Sequence, residues 1–203
     1  MAEKKDNTTL RYKVSLRMKL LEHIENPVVM ETHGGFGDVY RRCYSGIDVG
    51  IVLEKDPRKA SALARQRPSW MVYECDSLIA IQGGVANLIP INFLDVDPYG
   101  DPWNILDGFF DTIESKPDKM AVAVNDGLRQ KLKRNGGWSV GSMQDMVQKY
   151  GNAELYRNYD KICMELMNEK AAKAGMTIDR WWCYFCGYAN QMTHYGVILK
   201  RLS

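Results

Sequence analysis

The residues best suited to chemistry in this chain are Asp97-Pro98-Tyr99-Gly100, which end a mostly apolar segment that begins at Phe93. In an open α/β sheet, ligands bind outside the carboxyl ends of the strands. A carboxylate there can accept N–H bonds from a flat amine, Pro98 can present its carbonyl, and an aromatic ring can stack on the acceptor. The motif predicts that Asp97, Pro98 and Tyr99 are catalytic residues, although such a turn also serves purely structural purposes.

The elements that must position this motif alternate along the chain. Short segments rich in Val, Ile, Leu or Met predict strands at residues 27–31, 46–54, 70–75, 91–97 and 120–125. Helical patterns are predicted at residues 9–24, 38–44, 57–66, 101–114 and 128–133. Near-continuous apolar strands are typical of a parallel sheet covered by helices on both faces. The alternation therefore indicates a Rossmann-like three-layer α/β/α sandwich.

The carboxyl end departs from this alternation. Strand patterns at residues 178–189 and 193–202 are separated only by Asn190-Gln191-Met192, which is too short for a crossover helix. They predict an antiparallel β-hairpin that completes a seven-stranded mixed sheet. We expect one domain over residues 1–203, with a helical extension at 1–26 and a helical insertion at 141–176. The insertion either shapes a substrate pocket or packs on the sheet.

A glycine-dense turn follows the first predicted strand, and it contains Gly34, Gly35 and Gly37. Glycines let backbone approach a ligand where a Cβ would collide. The spacing differs from the Gly-x-Gly-x-x-Gly of dinucleotide enzymes, and by itself it also fits an ordinary tight turn. His33 precedes these glycines and is either a cofactor contact or a plain loop histidine.

Acidic residues end four successive predicted strands: Glu31, Glu54, Asp76 and Asp97. Glu54 is placed to accept both hydrogen bonds of a ribose diol. Asp76, with Ser77 beside it, is placed to accept an adenine amino group. An acid at such a position can instead cap the helix that follows. The row of acids favours a cationic, adenosine-bearing cofactor without phosphates, because it would repel a dinucleotide or a nucleoside triphosphate.

In these features the sequence resembles class I S-adenosylmethionine-dependent methyltransferases, over residues 28–125 and the terminal hairpin. The fourth-strand motif is similar to the Asp-Pro-Phe-Gly of tRNA guanine exocyclic-amine (N2) methyltransferases. The resemblance implies S-adenosyl-L-methionine as the cofactor and methyl transfer to an amine. Eight residues would bind the cofactor: Glu31, His33, Gly34, Gly35, Gly37, Glu54, Asp76 and Ser77. The motif is also similar to the Asp/Asn-Pro-Pro-Tyr of amino-methylating DNA, RNA and protein methyltransferases, but its single proline departs from that pattern. The chain also lacks the large extra domain that the tRNA guanine enzymes usually carry.

Charge constrains the acceptor only weakly. The chain carries 27 Lys and Arg against 25 Asp and Glu, and its basic runs near residues 58–67 and 129–134 fit either phosphate contacts or solvated helix faces. We expect a nucleobase amine in nucleic acid as the acceptor, in RNA more than in DNA. The alternatives are a small-molecule or protein amine, or a catalytically silent binding module.

Cysteine usage and hydropathy bear on location. Five scattered cysteines suit a reducing cytoplasm. No secretory signal and no membrane-spanning run is recognised in the sequence. The pair Cys183 and Cys186 has no second pair to complete a structural zinc site, so no metal centre is expected. The sequence therefore predicts a cytoplasmic protein.

Overall fold

A computed structural model describes residues 9–98, 100–114, 116–134, 141–187, 190 and 192–202. Seven strands form one sheet: β1 Val29–Glu31, β2 Gly50–Glu54, β3 Met71–Glu74, β4 Phe93–Val96, β5 Lys119–Asp126, β6 Met176–Cys186 and β7 Met192–Arg201. Their order is β3-β2-β1-β4-β5-β7-β6. The first five strands are parallel, whereas β7 runs antiparallel to both β5 and β6. The predicted mixed sheet with a terminal hairpin is thus confirmed.

Eight α-helices accompany the sheet within the described residues: α1 Leu10–Leu21, α2 Pro57–Gln66, α3 Ser77–Gln82, α4 Trp103–Thr112, α5 Leu128–Arg134, α6 Gly141–Tyr150, α7 Asn152–Arg157 and α8 Tyr159–Lys173. A π-helical turn, Tyr40–Tyr44, and a 3₁₀ turn, Val85–Asn87, complete the order. Asp56 caps α2 with its side chain and Pro57 occupies the first turn, so α2 has the bounds predicted from the sequence.

Two helix predictions were incomplete. Helix α3 was missed, because its six residues are too few to reveal a helical period. The spacing of apolar residues after Gly151 predicts one helix there, but Asn158 interrupts it with φ −106° and ψ 26°, so that α7 ends before Asn158 and α8 begins after it.

Alternate residues of each central strand enter different cores. On one face of the sheet, Met30, Leu94 and Val122 pack with α3, α4 and α8. On the other face, Val29, Phe93 and Ala121 belong to a core that includes α1, α2 and the π-helical turn; this face is called the α1 face below. The period of two in a strand therefore produces the predicted three layers.

Helix α1 packs closely on the hairpin. A Cβ on Gly196 of β7 would lie 2.7 Å from Leu16 Cδ1 and 3.0 Å from Leu20 Cδ1, so the backbone of β7 approaches the helix where no side chain intervenes. This packing leaves the amino-terminal half of α1 above the carboxyl ends of the parallel strands, where it meets Asp97. None of the helices in the described ranges is long and apolar enough to cross a membrane.

A buried acid joins α8 to the end of β5. Asp126 accepts a hydrogen bond from the Leu128 backbone N–H at 2.7 Å and one from the Tyr159 hydroxyl at 2.8 Å. Burial raises the pKa of this carboxyl to about 7. The folded state therefore holds a proton on Asp126 that the unfolded chain, with a pKa near 3.8, has lost.

We expect Asp126→Asn to stabilise the protein at pH 8. The stability associated with the protonated carboxyl is lost as pH rises from about 4 to about 7. An asparagine carries no charge; its Oδ1 can still accept the Leu128 N–H, and its amide N–H can donate to the Tyr159 hydroxyl oxygen. Urea unfolding should show a higher midpoint than wild type at pH 8 and little difference at pH 4. The exposed Asp118→Asn serves as the control. A wild-type midpoint for Asp126→Asn at pH 8 would contradict the raised pKa.

Candidate cofactor and acceptor site

The glycine turn after β1 combines a packing glycine with an open one. A Cβ on Gly34 would lie 2.5 Å from Val52 Cγ2 and 2.6 Å from Leu63 Cδ1, so this residue lets the turn pack against β2 and α2. Gly35 has φ +54°, and a Cβ there would meet nothing within 4 Å. Gly35 therefore presents backbone to open space, as a ligand-binding turn requires. Gly37 also has positive φ, at +77°, and lies against Gln66 at the end of α2.

Glu54, at the end of β2, holds the glycine turn in place. Its Oε2 accepts the Gly35 N–H at 2.8 Å, and its Oε1 accepts the Asp56 N–H at 2.9 Å. A carboxylate offers about four acceptor sites, so these two bonds leave capacity for ribose hydroxyls. The ribose role of Glu54 stays a prediction.

Asp76 and Ser77, which follow β3, have local structural partners. Asp76 caps α3, because its Oδ1 accepts the N–H groups of Leu78 at 3.0 Å and Ile79 at 3.3 Å. The Ser77 hydroxyl is buried and donates to the Thr32 carbonyl of the glycine turn. The helix-cap alternative for Asp76 is thus observed. It is compatible with an adenine contact, since both bonds fall on one oxygen of an exposed side chain.

Glu31, at the end of β1, is buried against a residue that sequence reasoning missed. The Arg67 guanidinium pairs with Glu31 Oε2 and lies 4.1 Å from the centre of the Tyr40 ring. Burial raises the pKa of Glu31, and Arg67 opposes that rise. This pair ties β1 to the end of α2, so Glu31 positions the glycine turn from beneath. Arg67 lies 36 residues after Glu31 in the sequence, so no local sequence pattern predicts this contact.

Asp97 is held by a lysine of α1. Lys13 Nζ donates to Asp97 Oδ1 at 2.8 Å and to Oδ2 at 2.7 Å, across 84 residues of sequence. Burial raises the pKa of Asp97, but Lys13 and Arg17 outweigh burial and hold it below its ordinary value. The carboxylate is therefore ionised. Sequence reasoning had placed Asp97 at the site without finding Lys13.

Of the remainder of the fourth-strand motif, the structure describes Pro98 and Gly100. The Pro98 carbonyl, predicted to face the acceptor amine, accepts the Gly100 N–H at 3.0 Å, which leaves one of its two lone pairs. Gly100 has φ +123°, a conformation that requires glycine. Tyr99, the third predicted catalytic residue, lies outside the described residues.

A second ion pair, between Arg17 and Asp95, lies near Asp97 on the α1 face. Arg17 Nε donates to Asp95 Oδ2 at 2.6 Å, and its Nη2 pairs with Oδ1. The Tyr44 hydroxyl also donates to Asp95 Oδ2, at 2.7 Å. Lys13 and Arg17 lie about 6 Å apart along a helix axis. Asp95 lies in β4 and Asp97 follows its last residue, and two residues of extended chain span about 6.6 Å. The two spacings match, so two cations of α1 meet Asp95 within β4 and Asp97 just after it.

A cavity of about 150 Å³ opens between the glycine turn and Asp97. Its lining brings together five of the predicted site residues: Glu31, His33, Gly34, Gly35 and Asp97. Lys13 and Leu10 of α1 cover it. The His33 ring Nδ1 lies 2.8 Å from the Thr32 hydroxyl, and burial lowers the pKa of this histidine, so the imidazole is neutral near pH 7. Glu54 adjoins the cavity through its bond to Gly35.

Many solved structures share this fold, whereas comparison of the sequence with known families and proteins finds no match. No protein-family model and no curated protein sequence matches the chain. Trm1 from Pyrococcus horikoshii with S-adenosyl-L-methionine superposes with a TM-score of 0.65 at 13% identity, over 97% of this chain and 56% of that one. The present chain thus spans little more than half of the Trm1 chain.

Two further structures match over most of their own length. The N-methyltransferase NodS from Bradyrhizobium japonicum WM9, with S-adenosyl-L-homocysteine, has a TM-score of 0.63 at 10% identity, covering 98% of this chain and 90% of that one. M. jannaschii TYW2 with AdoMet has a TM-score of 0.58 at 10% identity, covering 99% and 80%. The fold is that of class I S-adenosylmethionine-dependent methyltransferases, as the sequence resemblance implied.

Proposed function

We propose that this protein is an S-adenosylmethionine-dependent methyltransferase that methylates an amine, namely the exocyclic amine of a nucleobase, in RNA more than in DNA. The observation that carries the proposal is the position of Asp97. An ionised carboxylate at the carboxyl end of β4 lines the same cavity as the open backbone of Gly35. Cofactor and acceptor sides of a transfer site therefore adjoin.

The cofactor side suits a cationic adenosine derivative. In this proposal Glu54 accepts hydrogen bonds from the ribose, and Asp76 accepts one from the adenine amino group. Ser77 holds the start of α3 against the glycine turn. His33, Gly34, Gly35 and Gly37 shape the backbone beside the sulfonium, with Glu31 beneath. Structural neighbours that carry S-adenosylmethionine or its product support the assignment.

The acceptor side suits an amine. Methyl transfer from a sulfonium is an in-line displacement that depends mainly on positioning. An aromatic exocyclic amine is a poor nucleophile, because its lone pair is drawn into the ring. Asp97 and the Pro98 carbonyl would accept its N–H bonds and stabilise the positive charge that develops on nitrogen. Tyr99 would stack on the base.

A cationic groove beside the cavity supports nucleic acid as the acceptor. It has a volume of about 430 Å³ and is lined by Leu10, Arg11, Val14, Ser15 and Arg42. Leu10 lines both spaces, so the groove lies next to the cavity. Arg11 and Arg42 are exposed and can pair with phosphates. The basic run near residue 129 offers less support, because Arg129 stacks on Tyr156 and Phe185 at 4.1 and 4.0 Å.

A small-molecule amine is the second candidate. The observation in its favour is that NodS, an N-methyltransferase by name, superposes nearly as well as Trm1, with TM-scores of 0.63 and 0.65. Within the described residues, the groove containing Arg11 and Arg42 is the feature that favours nucleic acid instead.

Calorimetry with S-adenosylhomocysteine, followed by transfer of a labelled methyl group, tests the proposal. We expect binding and then label in total RNA in preference to DNA, protein or a mixture of small amines. Absence of binding by correctly folded protein would refute the methyltransferase assignment. Binding with label only in small amines or protein would select the second class of acceptor, and binding without transfer would indicate a silent module.

We further expect the double substitution Arg11→Gln and Arg42→Gln to weaken RNA binding by about tenfold. The slope of log affinity against log salt should fall by roughly 0.7 for each phosphate that the variant no longer neutralises. Fluorescence anisotropy over a salt series measures both quantities. Lys119→Gln with Lys161→Gln is the matched control, since both are exposed lysines away from the cavity. An equal effect in the control would mean that RNA does not bind in the groove.

A further inference from the structure

Lys13 occupies a position that the proposed chemistry leaves unexplained. Its ammonium is bonded to both oxygens of Asp97, the carboxylate that an acceptor amine would need. An ammonium has three N–H donors, and here it contacts both carboxylate oxygens of Asp97, which lines the cavity. An acceptor amine would therefore compete with Lys13 for these oxygens.

The same cavity has to receive the amino-acid end of the cofactor. If Glu54 binds the ribose and Asp76 the adenine, the other end of the cofactor would lie in the cavity that Gly35 and Asp97 line. That end carries a carboxylate. Among the described residues that line the cavity, Lys13 is the one cation, because Glu31, Asp38 and Asp97 are acids and His33 is neutral near pH 7.

We propose that Lys13 exchanges partners during the reaction: it binds the carboxylate of the cofactor's methionine end and thereby releases Asp97 for the acceptor amine. The inference rests on the proposed methyltransferase function and adds a residue to it. It makes cofactor binding the step that opens the acceptor site, so that cofactor binds first and acceptor second.

The structure allows this exchange without movement of α1. The helix is anchored four residues further on, where Arg17 pairs with the buried Asp95, and next to it Leu16 packs on Gly196. Lysine has a flexible four-carbon stem and a compact charge, so the ammonium can turn from one carboxylate to another within a cavity of this size. Because α1 is held in place, only the side chain of Lys13 has to move.

The test compares two cofactors that differ by one carboxylate. Calorimetry with S-adenosylmethionine and with its decarboxylated form is performed on wild type and on Lys13→Met. We expect the substitution Lys13→Met to weaken the binding of S-adenosylmethionine by about tenfold to a hundredfold, the range for a charge-assisted hydrogen bond. The affinity for the decarboxylated cofactor should be the same in Lys13→Met as in wild type. Lys19→Met is the control, since Lys19 lies on the same helix over the Trp182 ring at 4.8 Å.

The outcomes test the exchange of Lys13 and the methyltransferase function separately. Equal losses for both cofactors would mean that Lys13 acts only through the fold, and no loss for either would mean that it does not bind the carboxylate; each result overturns the exchange. If wild type binds neither cofactor although it is folded, the methyltransferase assignment fails and the exchange fails with it. Tight acceptor binding by wild type without cofactor would overturn the binding order.

Discussion

Asp97→Asn is expected to reduce methyl transfer by about a hundredfold to a thousandfold, the cost of removing one group that stabilises charge in a transition state. The carboxylate is ionised and lines the cavity, so it is the group placed to accept amine protons there. Asparagine keeps the shape of the side chain and removes the charge. Single-turnover measurement with labelled cofactor isolates the chemical step.

Cofactor affinity should not weaken in this variant, because Asp97→Asn removes a competitor for Lys13. Asp118→Asn, at an exposed position before β5, is the matched control and should transfer at the wild-type rate. A normal rate in Asp97→Asn would place the acceptor site elsewhere. A loss of cofactor binding would instead indicate that Asp97 serves the cofactor side.

Arg17→Met should lower the free energy of unfolding by about 3–5 kcal/mol, which is the cost of leaving a buried charge without its partner. Both Arg17 and Asp95 are fully buried on the α1 face, and in the variant Asp95 would keep only the Tyr44 hydroxyl. Urea unfolding followed by circular dichroism measures the change. We expect a larger loss of stability from this substitution than from Lys13→Met or Asp97→Asn.

Two further variants define the cause of that loss. Lys173→Met breaks the exposed pair with Asp111 and should change stability by less than about 1 kcal/mol. The double variant Arg17→Met with Asp95→Asn should recover much of the loss, since it leaves no unpaired charge. If the double variant is as unstable as Arg17→Met alone, lost packing of α1 is the cause and the ion pair is secondary.

The anchoring of α1 links these two predictions. Arg17 holds the helix on the acid inside β4, while Lys13, one turn earlier, reaches the acid at the end of β4. A weakened anchor should therefore also disturb the acceptor site. At a temperature where Arg17→Met is fully folded, we expect this variant to transfer the methyl group more slowly than wild type.

Much of the framework could be predicted from local sequence. Alternating apolar segments indicated the sheet, a three-residue connection indicated the hairpin, and Asp56 before Pro57 defined the start of α2. These signals are local, because strand period, helix caps and turn residues act over a few positions. Helix α3 escaped because its apolar segment is short.

The roles of individual acids depended on distant residues. Glu31, Asp95 and Asp97 find their partners 36, 78 and 84 residues away, at Arg67, Arg17 and Lys13. Lys13 and Arg17 resemble an ordinary charged helix face in sequence. Their function emerges only when the helix lies on β4 with matching spacing.

The sequence by itself determined the class of fold, the glycine turn and the place of Asp97 after the fourth strand, because these follow from patterns of period, capping and turn chemistry within short segments. Only the tertiary structure decided that Asp97 is covered by Lys13, that Asp95 is buried with Arg17, and that Gly34 serves packing while Gly35 faces open space. Such pairings arise when elements far apart in sequence pack together, and burial then determines which charges need partners.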